Sequence, residues 1–300
     1  MWVPGEVRVG STRLHLRSWG DAGPTAVGPD DARPLVLLLH GWPEDGSAWT
    51  AVAPLVAAAG LRVVAPDLKG FGRSDAPRRG YDPATLADET SRLVRALGAR
   101  RATIVGQDWG GAVAVATAFR HPGLVDALVV ASTPLRELDL GAAWHIPLLN
   151  LPVLPELAFR AFGATLTTAA LRYAAADPEA FDDASIERYV DAVTRRPGGW
   201  LAYYRTLSRQ VVLDRARRTI SAGLPFAAAV VAPAVPRVPT TVVWGDADPV
   251  TPVRLADGVA ADLGARLVVL EGIGHFPHEE APDAFARVVV EAALASVAAA

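Results

Sequence analysis

Apolar residues along this chain come in short unbroken runs, each of which stops at a turn. Leu35–Leu39 ends at His40-Gly41, Leu61–Ala65 at Pro66-Asp67, and Ala102–Val105 at Gly106. Ala127–Ala131 ends at Ser132-Thr133-Pro134, Thr241–Trp244 at Gly245-Asp246, and Arg266–Leu270 at Glu271-Gly272. Runs this apolar and β-branched, without alternation, predict strands covered on both faces, as in a parallel sheet. Between them lie helical patterns at Ala84–Leu97, Ala112–Phe119 and Pro282–Val297. Strand and helix alternate, which predicts an α/β fold, a mostly parallel doubly wound sheet. Ahead of it, Glu6–Val9 and Arg13–Arg17 read as a short hairpin. The Gly-, Pro- and Asp-rich stretch over residues 21–33 reads as a loop.

The alternation breaks between about Arg136 and Leu224. No run there suits a buried strand. Helical periodicity appears at Leu157–Leu171, Ser185–Arg195 and Trp200–Ala216, broken by Pro147, Pro152, Pro155 and Pro197-Gly198-Gly199. Trp144, Phe159, Phe162, Tyr173, Phe181, Tyr189, Trp200, Tyr203 and Tyr204 crowd into the same stretch. It reads as a helical insertion of roughly ninety residues in one large domain. The expected division is a core over 1–134, a helical cap over 135–225, and the rest of the core over 226–300. The Pro-rich stretch Pro225–Pro239 reads either as a tether of the cap or as a plain loop.

Composition narrows the chemistry. The 300 residues contain no cysteine, which removes disulfides, thiolate nucleophiles and Cys-ligated metal centres. A net charge of −3 argues against nucleic acid as a partner. The richest apolar window, Ala222–Val235, contains Gly223, Pro225 and Pro233 and is shorter than the ~20 residues a spanning helix needs. With no signal-peptide pattern at the N-terminus, a soluble, cytoplasmic protein without a membrane span is expected. Oligomeric state is not legible, and a homo-oligomer stays open.

Four motifs follow strands. Gly106-Gln107-Asp108-Trp109-Gly110-Gly111 lies between an apolar strand and a small-residue helix, the setting of a nucleophile elbow. The turn requires small residues two before and two after the nucleophile, and Gly106 and Gly110 stand there. The elbow position holds Asp108. The competing reading is an ordinary helix N-cap aspartate. His40-Gly41-Trp42-Pro43-Glu44 follows the strand Leu35–Leu39. Trp244-Gly245-Asp246-Ala247-Asp248-Pro249 and Gly272-Ile273-Gly274-His275-Phe276-Pro277 follow the last two. Nucleophile, acid and histidine come in that chain order, each just past the carboxyl end of a strand.

Over essentially its whole length the sequence resembles the α/β-hydrolase superfamily. HGWPE, GFGRSD (Gly70–Asp75), GQDWGG and GHFPHEE resemble the epoxide hydrolase and haloalkane dehalogenase branch, and most closely its epoxide hydrolases. The resemblance implies Asp108 as nucleophile, His275 as base and Asp248 as the acid that orients it. It further implies an oxyanion hole from the backbone N–H groups of Trp42 and Trp109. Asp246 reads as a turn residue. The stretch ending Tyr203-Tyr204-Arg205 resembles the cap motif whose tyrosine precedes arginine. Tyr204 is therefore the expected ring-opening acid, with Tyr203 turned into the core. No tyrosine stands early in the insertion; His145 does, either as a His/Tyr partner acid or as a histidine satisfied by backbone.

A carboxylate attacking an acyl carbon would give an anhydride, whereas attack on an sp3 carbon gives an alkyl ester that water can cleave. The expected activity is hydrolysis of a small apolar epoxide to a vicinal diol, without cofactor or metal. The alternatives are haloalkane dehalogenation on the same triad and, from another class, a non-catalytic ligand-binding protein on this fold. Among the other histidines, His15 reads as a surface residue, His40 as structural and His121 as a helix cap. His278 carries no assigned role.

Overall fold

The computed structural model describes residues 2–20, 33–135, 139, 141–142, 144–220 and 238–298. The apolar runs form strands β1 (Val3–Val9), β2 (Thr12–Trp19), β3 (Leu35–Leu39), β4 (Arg62–Pro66), β5 (Ala102–Gln107), β6 (Val125–Ala131), β7 (Thr240–Gly245) and β8 (Arg266–Leu270). They make one sheet in the order β1-β2-β4-β3-β5-β6-β7-β8. The first two pairings, β1 with β2 and β2 with β4, are antiparallel; the pairings from β4 to β8 are parallel.

Alternate residues of the central strands feed two separate apolar layers. Leu35, Leu37, Leu39, Ile104 and Leu128 point to one side, against α2 (Pro83–Ala96) and α3 (Trp109–Arg120). Val36, Leu38, Val105 and Val129 point to the other, against α1 (Val52–Ala58) and the terminal helix Pro282–Ala298. That is why these strands show no polar alternation. Each fully buried leucine is worth about 1.5–3 kcal/mol over exposure. The exception is β8. It lies at the sheet edge, its residues are only partly covered, and Val269 is 46% exposed, so this run is not doubly buried as its composition predicts.

Among the described residues, four α-helices lie between β6 and β7: α4 (His145–Leu149), α5 (Leu154–Ala174), α6 (Asp183–Thr194) and α7 (Pro197–Ile220). Pro155 and Pro197 do not break helices; each stands in a first turn, where the missing N–H costs nothing. Pro147 lies within the short α4. Gly163 lets α5 approach α6, since a Cβ there would lie 2.1 Å from Thr194 Cγ2. The tether read at Pro225–Pro239 lies outside the described residues up to 237, as do the window Ala222–Val235 and nearly all of the loop before Pro34. After β7 come α8 (Ala256–Leu263), α9 (Pro277–Glu280) and α10 (Pro282–Ala298). No helix among the described residues is long and apolar enough to cross a membrane.

His15 is a correction. It is buried, because β1 covers the outer edge of β2 and the loop around Ser74 packs on β2, with Ser74 Oγ accepting the His15 N–H at 2.9 Å. His40 is structural as expected: its Nε2 accepts the Leu68 N–H at 2.9 Å. His121 closes α3, and its ring meets Asp88 at 2.7 Å.

Candidate active site

Asp108 sits between β5 and α3 with φ 48° and ψ −118°. A non-glycine residue held there costs about 1–3 kcal/mol, which the surrounding structure must over-determine. The Asp108 N–H donates to Ala131 O at 3.1 Å, and its carbonyl accepts the Ala112 N–H at 3.0 Å. The flanking glycines are obligatory. A Cβ on Gly106 would lie 2.3 Å from Gly110 O, and one on Gly110 would lie 2.1 Å from Leu39 O. The Asp108 side chain makes no helix-capping hydrogen bond, which sets aside the N-cap reading. Its Oδ2 instead accepts the Trp42 N–H at 3.1 Å, and the Trp109 N–H is a second backbone donor to the carboxylate. Gly41 permits this approach, since a Cβ on it would lie 2.7 Å from Asp108 Cβ.

His275 and Asp248 come from the loops after β8 and β7. His275 Nδ1 lies 2.8 Å from Asp248 Oδ2. Asp248 is fixed by the N–H groups of Val250 and Thr251, both at 2.8 Å on Oδ1, and by Thr251 Oγ1 donating to Oδ2 at 2.6 Å. Asp246 is a turn residue, accepting the Gly272 N–H at 2.7 Å.

These groups tune one another. Burial drives the Asp108 carboxyl upward; the His275 charge and the two backbone donors oppose it. Burial alone would depress His275, but the Asp248 and Asp108 charges prevail and hold it up at about 9. Both effects follow from placing an anion and a cation together in a dry site.

A cavity of about 600 Å³ opens over this group. Trp42, Asp108, Trp109, His145, Tyr204 and His275 line it together with apolar residues of α4 and α5. Tyr204, on α7, shares a hydrogen bond with the Trp109 side chain; burial and the Asp108 charge hold its hydroxyl above the usual phenol range. Tyr203 points away as expected and donates to Lys69 O at 2.9 Å. The His145 ring lies 6.4 Å from that of Tyr204 and makes no hydrogen bond to another described residue. Burial and the nearby His275 charge lower its pKa.

Several polar residues in the quoted motifs have structural partners that the sequence does not announce. Gln107 Nε2 donates to His275 O at 3.0 Å, tying the elbow to the histidine loop. Glu280 accepts the N–H groups on both sides of His275, from Gly274 at 3.0 Å and Phe276 at 3.1 Å, and that of Ala176 at 2.8 Å. His278 pairs with Glu44 at 2.9 Å. Their signal in the sequence is their place at the ends of strands or in the turns and short helix that follow them. Glu44, His278 and Glu279 offer ligand atoms within 4.8 Å of one another. His278 and Gly41 already occupy the Glu44 oxygens, and Tyr189 donates to Glu279, so the cluster is hydrogen-bonded internally.

A sheet of this order, with an elbow after β5 and a histidine after β8, defines an α/β hydrolase. A family model described as the alpha/beta hydrolase fold matches residues 34–282, and the chain belongs to that family. An uncharacterised protein of Mycobacterium tuberculosis is 32% identical over 279 residues, spanning 85% of this chain and 74% of the relative. Epoxide hydrolase B of the same organism is 41% identical over 108 residues, covering 35% of this chain and 30% of its own. Among solved structures, epoxide hydrolase A from Mycobacterium thermoresistibile superposes with a TM-score of 0.75 at 25% identity, covering 97% of this chain and 98% of that one.

Proposed function

We propose that this protein hydrolyses epoxides to vicinal diols through an alkyl ester on Asp108, with helices α4–α7 as a cap over the site. The observation that carries the reading is the carboxylate at the elbow, held by two backbone N–H groups beside a buried His275–Asp248 pair. The likeness to epoxide hydrolases supports the same reading.

In the first step the free Asp108 oxygen attacks an epoxide carbon, the C–O bond breaks, and the departing alkoxide takes the Tyr204 proton. Transfer of the Asp108 charge into the ester removes one cause of Tyr204's weak acidity, so the acid strengthens as it is needed. The same loss of charge makes His275 easier to deprotonate, and it releases its proton to solvent, to be regained when the Asp108 charge is restored at the end of the cycle. In the second step neutral His275 takes a proton from water, and the hydroxide adds to the ester carbonyl. Trp42 and Trp109 N–H groups hold the oxyanion. Collapse expels the diol oxygen, which takes the His275 proton. Asp108, left as the acid, returns a proton to the Tyr204 phenolate. The sum is addition of one water.

His145 lines the cavity as a candidate second donor. Its lowered pKa keeps it neutral, so its ring N–H could polarise the epoxide oxygen without supplying a full charge. One observation favours a second reading, haloalkane dehalogenation: Trp42 and Trp109 both line the cavity with Asp108, and indole N–H groups are weak donors suited to a halide. Incubation with styrene oxide and with short bromoalkanes separates the two. Diol without bromide release is the expected result; bromide release without diol reverses the assignment.

A further inference from the structure

Glu44 and His278 are both completely buried, lie 234 residues apart in sequence, and meet at 2.9 Å through Oε1 and Nε2. Taking two ionisable groups fully out of water is expensive, and such a pair is weak evidence for stability as such. Its place in the fold is the informative feature. The second Glu44 oxygen accepts the Gly41 N–H at 3.3 Å, and the Glu44 N–H donates to Gly41 O at 3.2 Å. Glu44 therefore closes the turn after β3 onto itself. The next amide in that turn, Trp42 N–H, is the one aimed at Asp108 Oδ2. His278 stands three residues after His275, and its ring packs on Trp49 at 4.4 Å between centroids. The pair thus joins the turn that donates to the nucleophile and the loop that carries the histidine.

We infer that Glu44, held by His278, is a positioning residue that braces the His40–Gly41 peptide, and with it the turn that presents the Trp42 N–H to the negative charge on Asp108. The inference rests on the proposed ester mechanism and deepens it. Neither side chain touches substrate: both lie behind the turn and outside the cavity lining. Without the carboxylate, the Gly41 N–H loses its acceptor and the His40–Gly41 peptide ahead of Trp42 loses its brace, leaving the turn held through Gly41 O by the Glu44 N–H and His40 Nδ1 alone. The cost is greatest in the second step, because only there does a full oxyanion face the Trp42 N–H.

The geometry dictates the informative variants. In Glu44→Gln the amide oxygen can still accept from Gly41, and its NH2 can donate to a neutral His278 Nε2, so the turn survives without charge. Glu44→Ala removes the acceptor. His278→Gln can still donate to Glu44, whereas His278→Ala leaves one carboxylate oxygen buried and unpaired.

Rapid-quench mass spectrometry with styrene oxide reads the rates at which ester forms and decays. The decay constant refers only to molecules that have formed ester, so a loss of folded protein does not change it. Wild-type and Glu44→Gln esters are expected to decay within about 3-fold of each other, and the Glu44→Ala ester about 100-fold more slowly, with a smaller effect on ester formation. If Glu44→Ala does not fold, His278→Ala is expected to show the same selective slowing and His278→Gln to relieve it. Wild-type decay in Glu44→Ala or His278→Ala overturns the positioning role alone. Absence of any Asp108 ester in the wild type overturns the ester mechanism, and the inference with it.

Discussion

His275 Nδ1 lies 2.8 Å from Asp248 Oδ2, with the two side chains 4% and 0% exposed. The anion outweighs the desolvation of the ring, and His275 is held at about 9 against an ordinary 6.5. A histidine raised by folding stabilises the folded state fully below pH 6.5, and that stability is lost as pH rises through 9. Urea unfolding should therefore show a decline between these values, on the order of 3 kcal/mol if the whole shift is realised. His275→Gln and Asp248→Asn should flatten it; a wild-type slope in both variants would refute the linkage. Glu279 supplies a separate, lower window. Burial and the Glu44 charge raise it from 4.5 to about 7, so it too loses stability as pH rises, between those two values. Glu279→Gln should remove only that segment of the profile.

His275→Gln should trap the first-step product. The glutamine amide cannot take a proton from water at neutral pH, whereas Asp108 remains intact with its two backbone donors. Loss of a general base of this kind slows a step by about 100- to 10,000-fold. Intact-mass measurement after addition of an epoxide should show one stable adduct, mapping to the peptide that contains Asp108. Substrate turnover at the wild-type rate, or an adduct elsewhere, would remove His275 or Asp108 from these roles.

How far the residues announce this site depends on what surrounds each one. Asp108 is legible because an elbow leaves room only for glycine at positions 106 and 110, and that steric demand is written in the local sequence. The central strands are legible because both of their faces are apolar. β8 has much the same composition but forms an edge, since strand order depends on contacts between distant segments. His15 reads as exposed when β2 is taken as half of an isolated hairpin, yet β4 and the Ser74 loop pack against it. Glu44, His278 and Glu280 are visible as polar letters in the motifs. Their partners lie on other loops, and no local periodicity encodes such pairings. Even Thr251, only three residues from Asp248, declares its role only once the carboxylate is seen to take both its N–H and its hydroxyl.

Tyr204→Phe should separate the two steps in the opposite sense to His275→Gln. The substitution removes the proposed proton donor, and with it the hydrogen bond to the Trp109 side chain, but keeps the ring packed 5.0 Å from Trp109. Ester formation is expected to slow about 100-fold or more, while decay of the ester, once formed, stays near wild type. An unchanged formation rate would assign the acid role away from Tyr204. The double variant with His145→Phe then shows whether the second ring takes over: a further loss of ester formation, rather than of ester decay, is the expected result.

Thr251→Val tests whether the acid–histidine pair is tuned as well as placed. Valine matches the shape of threonine and preserves the Thr251 N–H bond to Asp248 Oδ1, as well as that from Val250. It deletes the hydroxyl that donates to Oδ2, the oxygen His275 uses, and that also lies 3.3 Å from His275 Nδ1. A lost hydrogen bond to a charged acceptor is worth about 1.5–3 kcal/mol, and part of that loss falls on the orientation of the imidazole. The shorter of the two contacts, the 2.6 Å donation to Oδ2, sets the sign of the electrostatic change against the 3.3 Å contact to the imidazole. With the hydroxyl gone, Oδ2 keeps more of its charge for His275, the imidazolium is held more tightly, and the histidine pKa rises further. In the proposed mechanism ester decay needs the neutral ring, so its acidic limb should move to higher pH, with kcat at pH 7 falling about 10-fold. A fall in kcat at every pH without movement of the limb would mean that Thr251 only braces the loop. An unshifted and unreduced profile would show that the two backbone N–H groups suffice to hold Asp248.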